Sequence, residues 1–124
     1  MPVTLNHTIV PAYDNDEAAG FFAGIMGLER LPPAGARRHF APVRVNETLT
    51  LDFMTVEDPH GLHLAFDVDP ATFDAVLARP RRAAVPYGNS PADRANARVD
   101  SPWGGRVAYF EDRAGDLYEV ISPR

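Results

Sequence analysis

The chain is short, acidic and free of cysteine. Its 124 residues are 45% hydrophobic, which is enough for one domain with a buried core. The formal net charge is −5, and the twelve basic residues, all arginine, are scattered along the chain, which disfavours nucleic-acid binding. Without cysteine, disulfides are excluded and any metal site must use His, Asp or Glu. Since no signal peptide or apolar run of about 20 residues is present, we expect a cytoplasmic protein with no membrane partner.

The first half of the chain predicts a strand, a helix and further strands. Leu5–Pro11 has strand composition, and a helix capped near Asp14 follows and ends at Gly27, because its apolar residues recur at helical spacing. Two more strands are predicted at Phe40–Val45 and Thr48–Val56, where apolar and polar residues alternate. A sheet with one apolar face against the helix is expected.

The second half restarts the same pattern. Leu62–Val68 predicts a strand, and Asp69 is a good N-cap for the helix after it. From Pro80 to Gly105 the sequence predicts little regular structure beyond possible strands around Val85 and at Ala97–Val99.

A hairpin is predicted at the end of the chain, over Tyr109–Ile121. Its turn contains Gly115, which can adopt positive φ, between two runs rich in aromatic and β-branched residues. If the turn centres on Ala114, Tyr109 faces Glu119 across the ladder, about 5 Å apart at Cβ. A phenol and a carboxylate would then be neighbours.

Glu119 is the one charged residue in an otherwise apolar run, and a buried carboxylate without a partner costs several kcal/mol. It therefore needs a cation. A salt bridge to Arg106 or Arg44 would satisfy it, and so would a metal ion shared with histidines on other strands. The sequence of this strand alone leaves both interpretations open.

The two halves form an internal repeat. His7 and His63 begin equivalent strands 56 residues apart, and Asp52 and Glu119 are likewise equivalent. Each half reads as strand, helix and three strands, and one such unit cannot cover its own sheet, so the two units must pair. The pairing predicts one shared site that gathers these four residues.

The predicted fold class is therefore α+β. Two paired βαβββ modules, at about 1–57 and about 61–124, form a cupped, partly open mixed sheet with the helices on its outer face. Both modules belong to a single domain spanning 1–124.

This arrangement resembles the vicinal oxygen chelate superfamily, which includes glyoxalase I, the extradiol dioxygenases, the fosfomycin resistance enzymes and the bleomycin resistance proteins. The similarity covers nearly the whole chain. The matching segments are Leu-Asn-His-Thr-Ile-Val at 5–10, His-Leu-Ala-Phe-Asp-Val at 63–68, and 109–121, which is similar to the family signature Tyr-x-x-Asp-Pro-x-Gly-x-x-x-Glu. Arg113 replaces the usual proline of that signature.

The resemblance implies a metal site. The family's ligands fall on His7, His63 and Glu119, a facial triad, and Asp52 occupies the position of a fourth acidic ligand in glyoxalase I. This ligand set suits one divalent ion per site, namely Fe, Mn, Ni, Co or Zn, without selecting among them. In small members of the family His7 typically comes from one chain and the other two ligands from its partner, so a homodimer is implied.

The resemblance also implies catalytic and substrate-binding residues. Tyr109 matches the tyrosine that donates a hydrogen bond to substrate, beside the catalytic Glu119, and the substrate pocket falls on Ile9, Thr50, Trp103 and Tyr109. The dioxygenases carry a histidine in the stretch that corresponds to 99–103, where this chain has none, and the fosfomycin enzymes carry a threonine where Ile9 stands. Ring cleavage by that route and fosfomycin modification are therefore disfavoured.

Two functions remain. The first is a metal-dependent lyase, isomerase or dioxygenase in which a divalent ion chelates vicinal oxygens of a small substrate. The second is a metal-free binding protein of the bleomycin resistance type, in which aromatic residues sequester a planar drug without chemistry. The presence of all three ligands favours the enzyme.

Overall fold

The computed structural model describes residues 2–123. It confirms the predicted α+β class. The first and last residues of the predicted modules, 1 and 124, lie outside the described range. Among the described residues no helix is long and apolar enough to cross a membrane. The chain divides between His60 and Gly61 into two compact units, here called the first and second unit. The first contains β1 (His7–Ala12), α1 (Asn15–Met26), β2 (Glu29–Arg30), β3 (Phe40–Arg44) and β4 (Thr50–Thr55). The second contains β5 (His63–Asp67), α2 (Pro70–Ala83), β6 (Arg106–Glu111) and β7 (Leu117–Ser122).

The first unit is a four-stranded mixed sheet in the order β1-β4-β3-β2, with β1 parallel to β4. Val10, Leu51 and Phe53 are buried on the face that packs against α1, where the Phe53 ring lies 5.8 Å from that of Phe22. Because strand residues alternate, the residues beside them lie on the opposite face.

Both ends of α1 follow the prediction. The Asp14 side chain accepts a hydrogen bond from the backbone N–H of Glu17 at 2.9 Å and so caps the first turn. Gly27 takes φ 70° and its N–H bonds to the carbonyl of Ala23, which ends the helix in the left-handed conformation.

The second unit is a three-stranded sheet in the order β5-β7-β6. Its core is formed by Phe73 and Val76 of α2 against Tyr118 and Val120 of β7, all buried. At the outer edge of β6, where the first unit has β2, two isolated backbone bridges join Gly88 to Tyr109 and Asp100 to Arg106. The second unit therefore keeps the order of the repeat with its edge strand reduced to isolated pairs.

The segment after the second helix differs from the sequence-based expectation. Helix α2 continues to Ala83 through Pro80, whose ring is fully buried, and ends with Ala84 in the left-handed conformation at φ 56°. The strands expected around Val85 and at 97–99 do not form, because Pro86 beside the first of them has no N–H for a ladder and Ala97 takes φ 60°. The short strand β2 was not predicted.

Candidate metal centre

The hairpin places a phenol opposite a carboxylate, as predicted. Tyr109 of β6 pairs with Glu119 of β7, and Gly115 in the turn takes φ 85°. Glu119 lies between the buried Tyr118 and Val120, but its own side chain points to the other face and is 15% exposed. A mostly buried carboxylate thus sits on the sheet face opposite α2.

The partner of Glu119 is a histidine. His63 Nε2 lies 2.9 Å from Glu119 Oε1. The arginine salt bridge considered from the sequence is wrong, because Arg106 pairs with Asp74 at 2.6 Å and Arg44 donates to Thr50 Oγ1 at 3.1 Å.

Tyr109 completes this cluster. Its ring centroid lies 6.1 Å from that of His63, with an angle of 59° between the ring planes. Burial raises the pKa of the Tyr109 hydroxyl, and the neighbouring Glu119 carboxylate raises it further. The phenol therefore keeps its proton at neutral pH, and part of the shift reflects the hydrogen bond that it donates to Glu119.

In the first unit the other predicted residues share one face. His7 pairs with Thr50 and Ile9 pairs with Asp52 across the parallel strands β1 and β4, on the face away from α1. His7 Nδ1 lies 2.8 Å from Asn6 Oδ1, an oxygen that can only accept, so His7 donates from Nδ1 and presents Nε2 as a potential ligand. Ile9 is 41% exposed.

The strand registers bear on the equivalence of Asp52 and Glu119. In the first unit the acid lies two residues after the strand partner of the histidine, since His7 pairs with Thr50. In the second unit His63 pairs with Leu117, and Glu119 again follows two residues later. The two units therefore present a histidine and an acid in the same relative positions.

The donor chemistry of the second unit fits a divalent metal. Two ligands at about 2.1 Å from one ion and at right angles to each other lie about 3 Å apart, which matches the 2.9 Å between His63 Nε2 and Glu119 Oε1. The same separation also suits a direct hydrogen bond. Within residues 2–123 of one chain, no group of three or more His, Asp or Glu side chains is arranged to hold a metal, so a metal bound here would need a further protein ligand from outside that pair.

A cavity of about 460 Å³ opens beside this cluster in the second unit. Tyr109, Glu119, Val107, Ile121 and Trp103 are among the residues that line it. The Trp103 residue is 86% exposed at this position. Two of the four predicted pocket residues, Trp103 and Tyr109, thus line one cavity, whereas Ile9 and Thr50 belong to the first unit.

Sequence reasoning missed Asp116, which is fully buried at the start of β7. Its Oδ1 accepts a hydrogen bond from the N–H of Leu62 at 2.9 Å, and its Oδ2 has no hydrogen-bond partner among the described residues. Burial, with a further contribution from Asp112, raises the pKa of Asp116 to about 7. The sequence did contain a signal for this burial. Asp116 stands between Gly115 and the apolar run that follows, where an acidic side chain has little room to reach solvent.

Comparison with solved structures gives close matches over the full chain. Oxidase ChaP-H2 shares 37% sequence identity at a TM-score of 0.90, with 100% of this chain and 96% of that chain covered. Oxidase ChaP-H1 shares 33% identity at a TM-score of 0.88, with 99% and 98% covered. The antibiotic binding protein TnmS3 from Streptomyces sp. CB03234 shares 23% identity at a TM-score of 0.73, with 99% and 98% covered.

More distant matches, at 18% to 21% identity, include a glyoxalase/dioxygenase, a lactoylglutathione lyase and a fosfomycin resistance protein, and these share the fold alone. No protein-family model and no curated protein sequence matches the chain. The oxidases are similar enough in sequence and coverage to show common family membership, and the fold and repeat are those expected from the sequence. The chain belongs to the vicinal oxygen chelate superfamily.

Proposed function

We propose that the protein is a metal-dependent enzyme that acts on a small substrate, with His7, His63 and Glu119 as the metal ligands. The observation that carries the proposal is the 2.9 Å contact of His63 Nε2 with Oε1 of Glu119, a residue that lines a cavity. Two similar proteins are named oxidases, which favours an oxidation over an isomerisation. A divalent ion, one per site and drawn from Fe, Mn, Ni, Co or Zn, would supply Lewis acidity there.

The proposed role of Tyr109 is to donate a hydrogen bond. Its phenol lies beside His63 and Glu119, and its raised pKa keeps the donor proton in place at neutral pH. A fixed donor aimed at a substrate oxygen stabilises negative charge that develops on that oxygen. Asp52, on the equivalent strand of the first unit, is proposed as a fourth ligand or as an acceptor for a ligating imidazole.

The third ligand is proposed to come from a second copy of the chain. A pair of ligands from one chain leaves the site incomplete, and a two-fold symmetric dimer in which each chain gives His7 to the other would complete two sites at once. The homodimer is therefore part of the same proposal. Under it, the loss of either histidine abolishes both sites of the homodimeric variant.

The first test is metal content. We expect about one divalent ion per chain in the wild type, by elemental analysis of untagged protein. His63→Ala and His7→Ala should each lose it, whereas the control His60→Ala, which removes an exposed histidine outside the strands, should retain it. Retention of full metal content by His63→Ala contradicts the ligand assignment.

The second test asks whether the site is shared between chains. When the His7→Ala and His63→Ala variants are unfolded together and refolded, a hybrid dimer has one intact site, built from the surviving histidine of each chain. Random pairing predicts recovery of about one quarter of the wild-type metal. If all ligands came from one chain, the mixture would recover none, and the shared site would be refuted while the metal proposal remained.

A second candidate function is sequestration of a small molecule without chemistry. The exposed Trp103 at the cavity favours it, and TnmS3 is an antibiotic binding protein of the same fold. Under this function the wild type contains no metal and still binds ligand, and His63→Ala leaves binding unchanged. Metal analysis of the wild type therefore separates the two candidates.

A further inference from the structure

We propose that the cavity beside Tyr109 and Glu119 accepts an uncharged, mostly apolar ligand with oxygen acceptors, and that Ser90 and Ser101 donate hydrogen bonds to those acceptors. The identification of this ligand as the substrate rests on the proposed function. This recognition is a property of the cavity walls before any metal binds. Those walls disfavour anions such as phosphonates or acidic peptide conjugates.

The charge of the cavity walls is the first step of the argument. Glu119 is the one charged residue among the described residues that line the cavity, and none of them is Arg or His. The nearby arginines are already engaged by acids, as with Arg94, which pairs with Glu111 at 2.6 Å, and Arg98, which pairs with Asp100 at 2.9 Å. In metal-free protein, a negative group in the cavity would meet the Glu119 carboxylate, and no arginine or histidine lines the walls to compensate its charge.

The remaining walls are largely apolar. Val107, Ile121, Pro91 and Pro102 give hydrocarbon surface, and the prolines have no N–H to offer. Trp103 adds an exposed indole at the same cavity. Such walls favour burial of an apolar skeleton.

The two serines are the polar exception. Ser90 Oγ accepts a hydrogen bond from the N–H of Ala92 at 3.1 Å, and Ser101 Oγ accepts one from the N–H of Trp103 at 3.2 Å. These bonds hold each side chain in place and use one of the two acceptor lone pairs of its hydroxyl oxygen. The hydroxyl proton of each serine is not donated in any hydrogen bond recorded among the described residues, so both can donate to a ligand oxygen.

Asn89, which also lines the cavity, has no such capacity left. Its Nδ2 donates to the carbonyl of Asp100 at 3.1 Å, and its Oδ1 accepts from Asn96 Nδ2 at 2.6 Å. Asn89 therefore builds the wall, while the serines are left to recognise the ligand.

Three related probes test the inference by isothermal titration: catechol, protocatechuate and methyl protocatechuate. All three carry two adjacent hydroxyl groups on a benzene ring. They differ at one further ring position, where catechol has only hydrogen, protocatechuate has a carboxylate and methyl protocatechuate has a neutral methyl ester. We expect the ester to bind at least about tenfold more tightly than the carboxylate in chelator-treated protein, where no metal ion offsets the charge of Glu119. Equal or tighter binding of the carboxylate, or no binding of the ester at millimolar concentration, overturns the inference.

Serine variants assign the donors. Ser90→Ala and Ser101→Ala should each weaken ester binding by about three- to tenfold, the worth of one hydrogen bond. The matched controls Ser90→Thr and Ser101→Thr keep the hydroxyl and should restore ester affinity, with melting temperature and circular dichroism confirming the fold. Undiminished ester binding in both alanine variants overturns the assignment. A metal-free wild type with the expected probe ranking would refute the proposed enzyme but leave this inference intact.

Discussion

Asp116→Asn should make the protein more stable at neutral and alkaline pH. The carboxyl group is fully buried, one of its oxygens is bonded to Leu62 N–H, and the other has no partner within residues 2–123. Burial and the nearby Asp112 raise the pKa of Asp116 to about 7. The folded protein therefore holds a proton at a pH where the unfolded chain, with an ordinary Asp pKa of about 3.9, has released it.

The sign and size follow from this difference. Between about pH 4 and about pH 7 the folded state binds more protons, so the free energy of unfolding falls as the pH rises, and above about pH 7 this contribution is constant. A difference of about three pKa units corresponds to roughly 4 kcal/mol as an upper value. An asparagine keeps the oxygen that accepts the hydrogen bond from the N–H of Leu62, and it carries no charge. The variant therefore does not lose stability as the pH rises through the pKa of Asp116.

Urea denaturation at about pH 5 and about pH 8 measures the effect as the difference in free energy of unfolding between variant and wild type. We expect Asp116→Asn to gain stability over the wild type by one to several kcal/mol between these values, because the subtraction cancels the other titrating groups. Asp58→Asn, at an exposed acid, is the matched control and should show no pH-dependent gain. A difference for Asp116→Asn that is the same at both pH values refutes the reasoning.

Four further substitutions test other parts of the structure. Gly61→Ala should destabilise by about 2 kcal/mol or more, since its new Cβ would lie 2.2 Å from the carbonyl oxygen of Gly115. Gly24→Ala, in the last turn of α1 and with nothing within 4 Å of the new Cβ, should stabilise by about 0.5–1 kcal/mol in urea denaturation. Tyr109→Phe should keep the metal content and lower turnover or substrate-analogue affinity by about tenfold or more, and an unchanged rate would exclude the donor role. Trp103→Ala should weaken binding of aromatic ligands without changing the melting temperature, because the side chain is 86% exposed, and a large drop in melting temperature would instead show a structural role.

Local chemistry made much of the fold predictable. Single residues set several boundaries as predicted. Asp14 and Gly27 cap the two ends of α1, Asp69 caps the start of α2, and Gly115 takes the positive φ that the turn requires. The pairing of Tyr109 with Glu119 followed from the turn centre alone, because a strand has a fixed period of two residues. Register was therefore available before any tertiary contact was known.

The conformation of the segment from 84 to 105 could not be predicted, because no local sequence signal determines it. It has no periodic pattern, and its shape depends on specific side-chain bonds such as the amide pair of Asn89 and Asn96, together with backbone pairs from Gly88 to Tyr109. Such contacts depend on residues that are distant in the chain and leave no compositional signal. Since this segment supplies much of the cavity wall, the ligand chemistry was the least accessible part of the site.

The hairpin accommodates two acids by different means, and the contrast bears on function. Asp116 is fully buried, accepts a hydrogen bond from the N–H of Leu62, and has its pKa raised to about 7, so it is held largely in the neutral form below that pH. Three residues later, Glu119 opens onto a cavity and contacts an imidazole nitrogen at 2.9 Å. A carboxylate needed only for packing would be better replaced by an apolar residue, because even a paired acid pays for its desolvation. Under the proposed function, a bound cation would offset that cost and explain the position of Glu119 beside His63 and Tyr109.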